Sequence, residues 1–294
     1  MSIRFLRTLL AIERHGSFHD AAAAVGLTPS AVSMQMRALE AQLQTRIFER
    51  DGRSPRLNAR GRTLIGEAAR IVAAYEALPL ALSDEGDLAG RLAIGTIPSI
   101  VTGALPEALA ALKAAQPRIQ LRLVSGLSAE LVAMVQRGEL DLALVTQPIG
   151  IRTEGLRIRS FAEEPFVVAA PKAARQRGDA ALLAAWPFIR FNRRAWAGRL
   201  IDEALRRRGI AVEDAMEIDS LEGIAVMVSR GLGVAIVPER IARIPLAKGL
   251  RTTPFGKPPL TRRLTLVERT DNPRSRLVEA LRPLLEDTFA RPRR

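Results

Sequence analysis

FHDAAAAVGLTPSAVSMQMRALEAQL, residues 18–43, is the stretch whose periodicity decides the N-terminal architecture. Ala21 to Ala24 favour a helix from Phe18 to about Val25. Gly26 stops it, because glycine accepts the left-handed conformation that ends helices. Leu27 and Thr28 bridge to the next helix, with Thr28 as N-cap and Pro29 at the first helical position, where a missing N–H costs nothing. That helix carries Val32, Met36, Leu39 and Leu43 inward at a four-three-four spacing. Upstream, Phe5, Leu9 and Ile12 repeat in the same way from Ile3 to Arg14, and Gly16-Ser17 supply a stop and a fresh N-cap. Two short helices joined by a brief glycine-containing turn form a helix-turn-helix.

The outward face of the third helix shows Ser30, Ser33, Met34 and Arg37, side chains able to approach base edges, with Thr28 and Pro29 at its start. Gln35 lies beside them, within reach of a phosphate. Downstream, Ile47-Phe48-Glu49-Arg50 and Arg56-Leu57 are brief extended pieces around Asp51-Gly52-Arg53-Ser54-Pro55. An Asp-Gly turn between them predicts a β-wing with Arg50 and Arg53 set for phosphates or a minor groove.

The segment from Phe5 through Gly61 closely resembles the winged helix-turn-helix of LysR-type transcriptional regulators. The resemblance is carried by Gly16-Ser17-Phe18, Ala21-Ala22, Ser30-Ala31-Val32-Ser33, Leu39-Glu40, Leu43, Phe48, Arg50, Leu57 and Gly61. Gln44 stands where the family usually has glycine, and Asn58 where it usually has threonine, although asparagine caps a helix equally well. Pro29 and Met34 replace residues that are often polar in relatives. The resemblance implies double-stranded promoter or operator DNA as a partner, a homodimer or homotetramer, a small-molecule effector, contact with RNA polymerase and a cytoplasmic, nucleoid-bound protein with no membrane partner.

From Ala59 the chain is helical again, with Leu64, Ala68, Ile71, Tyr75, Leu78 and Leu82 spaced by alternating fours and threes. That alternation fits either a coiled-coil seam or an amphipathic helix lying on its own protein. In the resembled family this is the linker helix of the dimer, which gives Leu64, Ala68, Ile71, Tyr75 and Leu78 as dimerisation residues. Pro79 limits its regularity to about Leu78, and Ser83-Asp84-Glu85-Gly86-Asp87 is a polar hinge. Beyond it, strands and helices alternate, implying parallel βαβ units. The expected strands include Arg91–Ile97, Ile119–Val124, Leu140–Val145, Phe166–Ala170, Phe188–Phe191, Met216–Asp219, Val234–Val237 and Arg263–Glu268. A final helix spans Arg274–Phe289, with a kink expected at Pro283. Glu139–Leu144 and Gly231–Pro238 resemble the family's two-lobed, periplasmic-binding-protein-like effector domain. The expected division is a winged helix-turn-helix over 1–58, a linker helix and hinge over 59–87, and an effector domain over 88–294. Lobe I would hold about 88–161 and 268–294, and lobe II about 162–267.

Gly231 and Gly233 close a helix and open a strand, the reverse of a dinucleotide fingerprint, so they are a C-cap and a tight turn. Ligands of open α/β sheets bind beyond the carboxyl ends of strands, here the loops Pro98–Thr102, Ser125–Ser128 and Thr146–Pro148. The resemblance points there to Ser99 and Ser128 as effector contacts, with Ile100, Thr102, Thr146 and Asn192 behind them. Arg193, Arg194 and Arg199 are candidates to hold an anion. A serine at a helix start is equally an N-cap, worth about 1 kcal/mol. Hydroxyls beside helix starts suit a carboxylate, the effector class expected.

Composition narrows the alternatives. The chain has 294 residues, with 44 Lys+Arg against 31 Asp+Glu, a net charge of +13 that suits a polyanionic partner. Length suggests about two or three domains. No cysteine is present, which excludes disulfides, zinc fingers, iron–sulfur clusters and thiol redox switches. The only histidines are His15 and His19, so neither a His-rich metal centre nor a Ser-His-Asp triad elsewhere is expected. The N-terminus lacks the unbroken apolar core of a secretory signal, and no 18 apolar residues run together. No catalysis, cofactor or metal is implied. The competing class is a solute-binding or enzymatic α/β protein with an incidental helical N-terminus; it would call for a secretory signal or a convergent acid/base set.

Overall fold

The computed structural model describes residues 2–49, 56–78, 88–242, 244–245 and 248–290. Arg50, Arg53, Pro79, Leu82 and the 83–87 hinge lie outside them. In the N-terminal region α1 (Ile3–His15), α2 (Phe18–Val25), α3 (Pro29–Gln42) and α4 (Ala59–Glu76) form one head. Its caps are those the sequence announces. Ser17 Oγ accepts from the amide of Asp20, Thr28 Oγ1 from that of Ala31, and Asn58 Oδ1 from that of Gly61, while Gly16 and Gly26 take φ of 74° and 69°. Phe48 and Leu57 form an antiparallel bridge, the base of the expected wing. Glu40 fixes it by accepting from the amide of Ile47 at 2.8 Å.

The first half of α4 belongs to the head. Ile65, Ala68 and Val72 pack with Leu6, Leu9, Val32, Met36 and Leu39 in one core. This corrects the dimerisation assignment of Ala68, which is fully buried within its own chain. Ile71, Tyr75 and Leu78 are exposed on another face of the helix, at 42%, 51% and 56%. Leu64 is half-buried against the head core. The helix therefore divides its apolar residues between two surfaces, a split that spacing alone does not reveal.

The remaining chain runs β1 (Gly90–Thr96), α5 (Pro98–Val101), α6 (Leu105–Ala115), β2 (Ile119–Ser125), α7 (Ser128–Gln136), β3 (Leu142–Thr146), β4 (Leu156–Ala170), α8 (Asp179–Ala185), β5 (Phe188–Phe191), α9 (Trp196–Arg207), β6 (Asp214–Ile218), α10 (Leu221–Ser229), β7 (Ala235–Pro238), α11 (Glu239–Ala242), β8 (Arg251–Pro254), β9 (Thr261–Arg269) and α12 (Ser275–Ala290). The main sheet has the order β2-β1-β3-β9-β4-β7, with β8 also on β4. Pairing is parallel for β1 with β2 and β3, but antiparallel for β9 and β4, so the sheet is mixed rather than wholly parallel. The helix α12 runs through Pro283.

Strand β4 starts ten residues before the expected Phe166. Its first part carries Arg157, Arg159, Glu163 and Glu164, too polar to announce a strand in isolation. The neighbouring strand supplies their partners: Glu163 pairs with Arg263 at 2.7 Å, Glu164 with Arg262 at 2.7 Å, and Arg159 with the fully buried Glu268. From Leu156 to Pro165, β4 pairs with β9; from Phe166 to Ala170 it pairs with β7 and β8, with neighbours buried on both faces. It thus crosses between lobes at Pro165–Phe166. Pairing of β9 with β3 from Leu264 to Glu268 puts that whole stretch in lobe I, so the return crossing lies near Thr261 rather than after Val267.

Ion pairs tie the head to lobe I. Glu76 accepts from Arg7 of α1 and from Arg274, each at 3.2 Å, and Arg274 continues to Asp141 at 2.8 Å. Arg70 of α4 reaches Asp271 at 2.9 Å. Burial pushes the Asp271 carboxyl up, but hydrogen bonds and charge from Arg269 and Arg70 outweigh it and hold the group below the ordinary aspartate value.

Candidate functional site

Helix α3 presents the first candidate surface. Thr28, Pro29, Ser30, Met34 and Arg37 are exposed, Met34 at 68%, and Ser33 is half-buried among them. An exposed methionine on an otherwise polar face offers apolar contact of the kind a thymine methyl accepts. Gln35 is half-buried, and its amide oxygen accepts a 2.6 Å hydrogen bond from Thr8 Oγ1, which turns it toward α1. Arg37 and Arg46 also border a shallow depression with Glu40, Gln44 and Thr45, and Arg60 donates to Thr45 Oγ1 at 2.9 Å. Arg46 and Arg60 were not singled out from sequence; their distance from the motif hides the fact that the hairpin base returns them to its edge.

The second candidate is a cleft of about 370 Å³ between the two lobes. Its lining includes Ser99, Ser125, Ser128, Thr146 and Arg262 on one side, and Phe191, Asn192, Arg194, Trp196 and Asp219 on the other. Four of the six expected effector contacts, Ser99, Ser128, Thr146 and Asn192, are therefore brought together. Two are not. Ile100 is fully buried in the lobe I core, because the face of the short helix α5 that carries it packs on that core. Thr102 is absent from the lining and donates to Glu222 of α10 at 2.6 Å, a contact between the lobes.

The geometry separates capping from ligand contact. Helix α7 begins at Ser128, so its N-cap is Leu127, and no side chain caps it. Helix α5 likewise has Ile97 as N-cap without a side-chain bond, leaving Ser99 inside its first turn. Ser99 Oγ instead accepts from Arg262 Nη2 at 3.0 Å. Neither Ser128 nor Thr146 has a side-chain hydrogen bond among those of the described residues, though they are only 5% and 1% exposed. The unbonded amides in the first turn of α7 add partial positive charge beside these hydroxyls.

Arg262, which sequence inspection passed over, is 2% exposed and donates to Glu164 through Nε at 3.0 Å and Nη2 at 2.7 Å. These two residues face each other across β4 and β9 where the strands change lobes. Only pairing of segments 98 residues apart reveals it. Of the three arginines offered for an anion, Arg194 lines the cleft, while Arg199 is absent from its lining. Arg193 is occupied by Asp214 and by Glu217 at 3.1 Å. Burial raises the Asp214 carboxyl, but Arg190 and Arg193 hold it below the ordinary aspartate value, fixing the loop that carries Asn192. Among the described residues no group of three His, Cys, Asp or Glu side chains is arranged to hold a metal, and no helix is long and apolar enough to cross a membrane.

Comparison with known proteins bears on both sites. The model of the bacterial regulatory helix-turn-helix of the lysR family matches residues 3–62, and that of the LysR substrate binding domain matches residues 85–290. A probable hydrogen peroxide-inducible genes activator of Mycobacterium avium is 30% identical over 283 residues, covering 93% of this chain and 89% of its own length. A probable RuBisCO transcriptional regulator of Trichormus variabilis is 29% identical over 300 residues, covering 98% and 88%. Among solved structures, a full-length OxyR variant of Pseudomonas aeruginosa superposes with a TM-score of 0.76 at 22% identity, covering 97% of this chain and 94% of that one. Full-length CbnR complexed with its target DNA gives 0.64 at 19% identity, covering 97% and 100%. A solute-binding protein or enzyme with an incidental helical N-terminus is set aside, because the head itself matches a regulatory DNA-binding module. The chain belongs to the LysR family of DNA-binding transcriptional regulators, with an effector-binding domain behind its helix-turn-helix head.

Proposed function

We propose that the chain regulates promoters as a homodimer or homotetramer whose operator binding responds to a small carboxylate in the inter-lobe cleft. Helix α3 enters the major groove with Ser30, Ser33, Met34 and Arg37, preceded by Thr28 and Pro29, while Gln35 supports the helix from α1. Arg50 and Arg53 hold the backbone or the adjacent minor groove. Ile71, Tyr75 and Leu78 on the outer face of α4 pair with a second copy. RNA polymerase is the downstream partner, and the protein works in the cytoplasm, on the nucleoid.

The observation that carries the effector reading is that the hydroxyls of Ser128 and Thr146, on residues otherwise buried, line the cleft without capping a helix or bonding elsewhere among the described residues. Among the described residues only Arg159 Nε is a buried side-chain polar atom without a partner, so these hydroxyls are open to the cleft and suit a ligand's acceptor oxygens. The effector's carboxylate meets Ser99, Ser128 and the first turn of α7, and changes the angle between lobes by its differential affinity for two states. With no cysteine in the chain, the response runs by binding and not by thiol oxidation.

The test is a thermal-shift series of small carboxylates against the full-length protein, followed by gel shifts with its upstream DNA. A bound carboxylate raises the midpoint. In the gel shift, Arg53→Ala weakens binding to all sequences, whereas Ser33→Ala changes sequence preference. Equal losses for both variants on operator and random DNA refute that division of labour.

A further inference from the structure

The charges lining the cleft do not suit a simple anion. Arg262 is neutralised by Glu164, whose carboxylate it contacts through two nitrogens. Arg194 lines the lobe II wall, its guanidinium without a partner among the described residues. Two carboxylates line the cleft as well: Glu130, in the first turn of α7, and Asp219, at the end of β6. Both are exposed, and neither has a hydrogen bond or ion pair among the described residues. The unpaired side chains thus sum to an excess of negative charge around a site whose unbonded hydroxyls and helix start favour an anion. A simple carboxylate at Ser128 and the start of α7 would meet Glu130 on its own wall and Asp219 on the other, with Arg194 alone to offset them.

We propose that the effector is a small zwitterion, of the α-amino acid class, whose carboxylate lies against Ser128, Thr146 and the start of α7 while its ammonium group meets Asp219. This rests on reading the cleft as a carboxylate-binding effector site. The two poles fall on different lobes, since Ser128 opens α7 and Thr146 ends β3 in lobe I, whereas Asp219 follows β6 in lobe II. One ligand then bridges the cleft and favours its closed state. Phe191, half-buried in the lining, accommodates an apolar side chain, with the buried Trp196 behind the cleft wall. The volume of about 370 Å³ sits at the small end of ligand pockets, in keeping with one amino acid.

The experiment is calorimetric titration of the full-length protein with L-amino acids, each paired with its deaminated counterpart, for example L-leucine with 4-methylpentanoate and L-phenylalanine with 3-phenylpropanoate. At least one amino acid binds roughly ten- to a hundredfold tighter than its counterpart, the usual worth of a hydrogen bond to a charged group. Asp219→Asn weakens that amino acid by about tenfold and leaves the deaminated acid bound no more weakly, because a repulsion is removed. Tryptophan fluorescence of a Trp186→Phe variant, which keeps Trp196 at the cleft as its one emitter, gives a second readout of occupancy. Deaminated acids that bind as tightly as their parents overturn the zwitterion while keeping the carboxylate site, and so does an Asp219→Asn variant that preserves the gap. If no member of either set binds, the carboxylate reading falls, and this proposal with it.

Discussion

Two serines near the starts of cleft-lining helices should respond oppositely to the same substitution. Ser220 is the N-cap of α10 and accepts from the amide of Gly223 at 3.0 Å. Ser220→Ala removes that bond and should cost about 1 kcal/mol, within the usual 0.5–2 kcal/mol for a lost cap. In a domain of roughly 200 residues, that lowers the melting midpoint by about 2–4 °C. Ser128 follows the N-cap, and no hydrogen bond holds its hydroxyl. Ser128→Ala removes an unpaired polar atom from a position 5% exposed and installs a better helix former, so stability should stay within about 0.5 kcal/mol of the parent or rise slightly. Its cost should appear in effector affinity, at about tenfold for one hydrogen bond to a carboxylate. Urea midpoints of the two full-length variants, measured beside the parent without effector, decide the matter. If Ser128→Ala loses as much stability as Ser220→Ala, its hydroxyl has a structural partner and the argument for a ligand contact there fails.

Other consequences follow from the same contacts. A Cβ at Gly61 would lie 2.2 Å from the carbonyl oxygen of Ile47 and 2.9 Å from Leu57, both at the hairpin base. Gly61→Ala should therefore destabilise the head by about 1–3 kcal/mol and weaken operator binding; an unchanged urea midpoint would refute the close approach. Gln44 adopts φ of 49° after α3, a conformation that favours glycine, so Gln44→Gly should stabilise the head by about 0.5–1 kcal/mol, and a lowered midpoint would contradict the strain. Asp271, Asp214, Asp179 and Glu279 all have carboxyls held below their ordinary values, Glu279 chiefly by the hydrogen bond from Arg159. Their folded-state values lie below the unfolded ones, so their stabilisation is complete above the ordinary carboxylate range and is lost as pH falls through the depressed values. Urea midpoints should thus decline on acidification below about pH 4, less steeply in Arg70→Ala, and a midpoint that stays level would refute the pairing.

What could be read without coordinates was local. Ser17, Thr28 and Asn58 cap helices three residues ahead, and Gly16 and Gly26 end them, so the head follows from contacts within a few positions. Gly231, read as a C-cap, takes φ of 84° after α10 for the same reason. The sequence was a poorer guide where a residue's role depends on a distant partner. Ala68 fits a seam by spacing, yet α1 and α3 bury it. Ile100 sits in a ligand-facing loop by position, yet α5 turns it into the core.

The sequence by itself therefore determined the helical head and the alternation of strands and helices behind it, because caps and periodicity are short-range properties of the chain, while the regulatory role, the two lobes and the cleft between them came from the resemblance to the LysR family. Only the tertiary structure decided that Ser128 is free and Ser220 occupied, that Arg262 pairs with Glu164 where β4 and β9 change lobes, and that Asp219 lines the same cleft as the hydroxyls of lobe I. Polar side chains in such strands are tolerated only when a remote segment supplies the opposing charge, and the register of that pairing is set by the fold as a whole.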